Sequence, residues 1–175
     1  MNRSIENLLR LAGATAVLAT LAGCYSSETP LFDSGVAVNI VGDVSCKIAS
    51  GGTVDYAISK ATDGTTAYEA TDKSTNSSAR LVFVRSANPF VYVLQSSDKN
   101  NVNYLSFNVF AGTLRDAATD KISPVVERIA KRHNVDVSGG SYGVIGLKGE
   151  ADDQRAFLKA VADAGTKPLL TCKRS

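Results

Sequence analysis

This 175-residue chain has a single histidine, His133, and only three cysteines, Cys24, Cys46 and Cys172. A structural zinc site draws its ligands from clustered cysteines and histidines, and this supply does not provide such a cluster. Charge of one sign is lacking too: 19 Lys and Arg stand against 17 Asp and Glu. That balance creates no field to steer nucleic acid or another polyanion. Phosphate-cradling glycine loops are missing. Gly143, Gly146 and Gly149 are spaced three apart and match neither nucleotide fingerprint. Asp152 and Asp153 are neighbours, so on a helix their side chains diverge by about 100° and cannot present two acids to one bond. No internal repeat is visible. These absences lead us to expect no metal, no cofactor and no nucleic-acid partner.

The N-terminus is richer. Arg3 and Arg10 form a short basic region diluted by Glu6, and residues 11–20, LAGATAVLAT, carry no charge. That apolar stretch is shorter than the roughly 20 residues needed to span a bilayer. Basic start, short apolar run and small residues, in that order, describe a secretory signal. Leu21-Ala22-Gly23-Cys24 then looks like the lipobox of bacterial lipoproteins. The resemblance implies cleavage before Cys24, a diacylglycerol on its thiol and an acylated amine. Each buried methylene contributes about 0.8 kcal/mol, so two or three chains anchor firmly where one binds reversibly. Tyr25, standing where inner-membrane lipoproteins carry Asp, implies the periplasmic face of the outer membrane. In a Gram-positive cell the same anchor implies the outer face of the plasma membrane. We expect a signal over 1–23, a lipidated tether over 24–34, polar and containing Pro30, and one domain over 35–175.

Without residues 1–23 the chain keeps 17 basic and 16 acidic side chains and two cysteines. Export places Cys46 and Cys172 where disulfides persist. We expect them to pair, in preference to two separate buried thiols, tying the start of the domain to its end.

Short β-type runs fill the first half: 36–41, 54–59, 65–70, 80–85, 90–95 and 102–110. Gly51-Gly52, Asp63-Gly64, Asn88-Pro89 and 96–101 read as turns between them, and the polar stretch 71–79 as a loop. The period then changes. Ser123-Pro124 suits a helix N-cap and first turn, and Val125, Val126, Ile129 and Ala130 recur at helical spacing up to about Asn134. Val144, Ile145 and Leu147 suit a strand. A second helix is expected from Glu150, with Phe157, Leu158, Val161 and Ala162 as its apolar stripe and Gly165 as its cap. A last strand, 168–173, carries Cys172. The expected fold is α+β: an antiparallel or mixed sheet of about six to eight short strands, with two amphipathic helices in the C-terminal half.

Candidate chemistry is sparse. Gly139-Gly140-Ser141-Tyr142-Gly143 matches G-x-S-x-G, which in serine hydrolases sets the nucleophile on a strand-to-helix turn. Here it leads from a polar turn towards an apolar β-type run. His133 lies upstream of Ser141 and reads as a helix-end residue. Lys131-Arg132 and Lys173-Arg174 are isolated basic pairs on a solvated face. Ser138-Gly139-Gly140-Ser141-Tyr142 resembles the Ser-Gly-x-x-Tyr loop of the membrane-bound C-type lysozyme inhibitors, small envelope lipoproteins built as β-barrels. That resemblance implies Ser138 and Tyr142 as partner contacts. The chain is longer than that family, carries two helices, and its near-zero net charge is poorly matched to a basic lysozyme. We expect a non-enzymatic envelope lipoprotein that binds, assembles or stabilises another envelope protein. Lysozyme inhibition through the Ser138–Tyr142 loop and hydrolysis by Ser141 are the alternatives.

Overall fold

The computed structural model describes residues 25–48, 51–108, 113–115, 122–139, 144–164 and 168–174. Eleven strands are found among them: β1 (Tyr25–Ser26), β2 (Gly42–Ile48), β3 (Thr53–Lys60), β4 (Tyr68–Asp72), β5 (Ser78–Arg85), β6 (Val91–Ser97), β7 (Val102–Asn108), β8 (Thr113–Arg115), β9 (Asp136–Gly139), β10 (Ile145–Lys148) and β11 (Pro168–Arg174). Two helices, α1 (Pro124–Arg132) and α2 (Ala151–Ala164), lie in the C-terminal half. The fold is α+β, as expected, with more strands than expected.

Strands β2 to β8 form an antiparallel meander. The last strand, β11, then pairs antiparallel with both β8 and β2. The ring β2-β3-β4-β5-β6-β7-β8-β11 therefore closes into an eight-stranded barrel, which removes its free edges. Strand β7 has a forked edge. Ser106 to Asn108 pair with β8, while Asn103 and Tyr104 pair with β1. From β1 a parallel step leads to β10 and an antiparallel one to β9, so a small three-stranded sheet branches from the barrel wall.

Two apolar cores lie on opposite sides of that wall. Tyr68, Leu81, Phe83, Leu94 and Phe107 fill the barrel. Tyr25, Val82, Val93, Tyr104, Phe157 and Val161 pack between the outer face and α2. This explains the unbroken apolar run Leu81–Val84 within the β-type stretch 80–85. Leu81 and Phe83 point inwards, Val82 points out, and all three are buried. A strand covered on both faces loses its alternation. Strand β3, with its outer face wetter, keeps it over Thr53–Tyr56.

The helices follow their local signals. The Ser123 hydroxyl accepts from the Val126 N–H, with Pro124 in the first turn of α1. At the other end the Val135 N–H reaches back to the Ala130 carbonyl, and Asn134 takes a positive φ of 53°. That is the left-handed cap usually given to glycine. Helix α2 buries Phe157, Leu158, Val161 and Ala162, as its stripe predicts. Gly165 lies outside the described residues.

Three expectations need correction. Residues 36–41 form no strand: Val36 bonds the Phe83 carbonyl, and the rest cross the barrel end over Tyr68. The true first barrel strand is β2. Four of the nine residues of the expected loop 71–79 are strand, because β4 runs to Asp72 and β5 begins at Ser78. Most consequential, residues 25–34 are not a tether. Tyr25 is only 1% exposed, and Leu31 and Phe32 are buried. The Gln95 side chain accepts from the Leu31 and Phe32 N–H groups at 3.0 Å each and donates to the Phe32 carbonyl at 2.9 Å. The Tyr104 hydroxyl lies 2.7 Å from the Ser27 hydroxyl, and Arg155 donates to the Leu31 carbonyl at 2.9 Å. The arm's polar side chains at Glu28, Thr29, Asp33 and Ser34 are exposed, while its backbone is bonded into the domain.

Candidate functional site

The barrel interior holds a half-open cavity of about 130 Å³. Eight strands make a barrel whose interior either fills with side chains or holds one small ligand. Here the filling is incomplete for a local reason. Ala70 and Ala79 are direct cross-strand partners on β4 and β5, and both face inwards. Two methyl groups leave space where larger pairs would meet. Val44, Tyr56 and Ile58 line the same space and are only partly buried.

The lining is apolar except at one end. Asp72, Tyr56 and Val44 stand opposite one another in a row across β4, β3 and β2. Asp72 is 3% exposed. Its Oδ1 closes the β4–β5 turn, accepting from the Ser74 N–H at 2.7 Å, the Ser74 hydroxyl at 2.6 Å and the Thr75 N–H at 3.2 Å. Its Oδ2 is buried without a hydrogen-bond partner. Burial works against the charge of Asp72. The Ser74 and Thr75 donors outweigh it and hold the carboxyl below its ordinary pKa. Burial, and then the Asp72 charge, push the Tyr56 hydroxyl upwards. Asp72 is the sole charged side chain among the lining residues.

The Cys46–Cys172 disulfide is formed, with a Cα–Cα distance of 4.0 Å. The two residues are directly opposite on β2 and β11, so the bond crosses the seam where the last strand closes the barrel. Both cysteines also line the cavity.

None of the known protein-family models, curated proteins or solved structures matches this chain.

The other residues singled out in the sequence fall elsewhere. Cys24, Ser141 and Tyr142 lie outside the described residues. Ser138 is exposed on β9, paired with Gly146 of β10. The G-x-S-x-G stretch thus joins two antiparallel strands, whereas the hydrolase turn joins a strand to a helix. His133 caps α1, its backbone N–H bonding the Ile129 and Ala130 carbonyls. Among the described residues no His, Cys, Asp and Glu group is arranged to hold a metal, and no helix is long and apolar enough to cross a membrane.

Asp72, Tyr56 and the cavity were not singled out from sequence. Asp72 sits in a polar stretch that reads as a turn. Its inward aim depends on the register of β4, which the tertiary pairing decides.

Proposed function

We propose that this protein is a lipid-anchored lipoprotein of the bacterial envelope that works by binding, and that the barrel is its binding part. The observation that carries the binding reading is the apolar barrel cavity with a buried, unpartnered carboxylate oxygen at one end. Ligand sites are concave and mostly apolar, with few polar groups to fix orientation. The anchor rests on the Leu21-Ala22-Gly23-Cys24 lipobox. Tyr25, packed into the core beside it, supports a domain held close to the bilayer with almost no slack. Labelled palmitate should enter the wild-type protein and not Cys24→Ser, and globomycin should trap the precursor. Unlabelled wild type would remove the anchor and with it the outer-membrane assignment. Titration of the full-length protein with toluene should shift the Ile58 and Leu94 methyl resonances. Unmoved methyls would remove the binding barrel.

One observation favours a second reading, lysozyme inhibition: the domain contains a disulfide-closed barrel, as the inhibitor resemblance implies. Ser138, however, sits on the side sheet and not on the barrel. An unchanged lysozyme rate at excess protein in a turbidity assay removes this reading.

A further inference from the structure

We propose that the barrel cavity binds a small organic monocation, an alkyl- or arylammonium whose charged head meets Asp72 Oδ2 and whose apolar body fills the space between Ala70, Ala79 and Leu94. The inference rests on the binding role proposed for the barrel and names the ligand class.

Three features point to this chemistry. The first is the orphan oxygen. A buried carboxylate oxygen without a donor is costly, and native proteins rarely leave one unserved. Asp72 Oδ1 already takes three bonds, so Oδ2 holds the unused acceptor capacity; it is closed off in this structure, and a visitor reaches it by a small turn of the carboxylate. The second is charge. The neighbouring cations are engaged elsewhere: Lys73 pairs with Asp43 at 2.7 Å, and Arg174 bonds the Val41 carbonyl. The cavity therefore carries one uncompensated negative group. The third is size and lining. A 150 Å³ apolar cavity accepts a benzene-sized guest, so 130 Å³ admits a body of about six carbons. The ammonium N–H donates to Oδ2, and the apolar body fills space that the side chains leave open.

The test uses full-length protein in detergent micelles at neutral pH. Ile58 and Leu94 methyl resonances report occupancy during titration with benzylammonium, benzyl alcohol and toluene, which share a ring and differ in the head. A charge-assisted bond to a buried carboxylate predicts that benzylammonium binds about tenfold to a hundredfold more tightly than toluene. Asp72→Asn should erase that preference while toluene binding survives. Ala79→Phe, which fills the cavity, should abolish both. Equal binding of all three probes, or a preference for the alcohol, overturns the ammonium assignment and leaves the binding barrel standing. No shift with any probe removes both. Should Asp72→Asn not fold, the ranking of the three probes on the wild-type protein decides alone.

Discussion

Asp72 shows how one side chain can serve two ends. Oδ1 shapes a turn, and Oδ2 is buried without a partner on a residue that lines the cavity. Its folded pKa lies below the ordinary carboxylate value, so it contributes stability that is fully present above the unfolded pKa of about 3.9. That contribution declines as pH falls below this value and is gone below the depressed native pKa. Thermal unfolding of wild type and Asp72→Asn should therefore differ at neutral pH and converge under acid. A constant gap would mean that the carboxylate charge is not what matters. Tyr25 is the other decisive residue. Its ring meets Phe157 edge-to-face at a centroid distance of 5.2 Å inside the outer core. Truncation to alanine should cost about 3–5 kcal/mol, as for other buried aromatics. A tether residue would cost almost nothing, so urea denaturation of Tyr25→Ala separates the two descriptions. Gly35 matters through space alone. A Cβ there would overlap the Phe83 carbonyl oxygen, which is why the chain crossing the barrel end carries no side chain at that point.

At the scale of elements, the N-terminal arm is paired into the sheet only at Tyr25 and Ser26, and beyond them it is held mainly by side chains. Gln95 is 1% exposed and uses both ends of its amide on Leu31 and Phe32. Gln95→Leu keeps the volume but orphans the Phe32 N–H, at a cost of about 1–3 kcal/mol. The expected signature is local. Amide exchange at Leu31 and Phe32 should accelerate, while Val93 in the barrel wall stays protected. Uniform acceleration would show instead that arm and barrel unfold as one unit. Helix α2 is tied down differently. The Asp163 carboxylate accepts from the Ala87 and Asn88 N–H groups, at 3.1 and 3.0 Å, and fixes the β5–β6 turn against the helix end.

For the whole molecule, the closing event is the pairing of β11 with β2, far apart in sequence. The disulfide across that seam spans 126 residues. Loop-closure entropy for such a span favours the native state by about 2–5 kcal/mol once native strain is allowed for. The Cys46→Ala/Cys172→Ala protein should unfold at lower urea by that amount, with β11 amides exchanging first. An unchanged midpoint would show that the barrel closes as firmly without the bond. Closure also creates the interior that the proposed ligand needs. An open sheet of the same strands would expose Ala70 and Ala79 to water.

The sequence by itself determined what short-range periodicity can encode. Ser123-Pro124 placed the start of α1, the Phe157–Leu158–Val161–Ala162 stripe set the buried face of α2, and most barrel strands were visible as β-branched runs. Cys46 and Cys172 were legible as a pair because only two cysteines follow Cys24. Tertiary structure decided the rest. Whether a polar stretch such as 25–34 is solvated depends on partners more than sixty residues away, Gln95 and Tyr104 among them. Whether Asp72 faces water or a cavity depends on register, where a shift of one residue reverses every side chain. Whether eight strands form a flat sheet or a barrel depends on β11 meeting β2. These are choices between distant edges, and no local pattern of residues carries them.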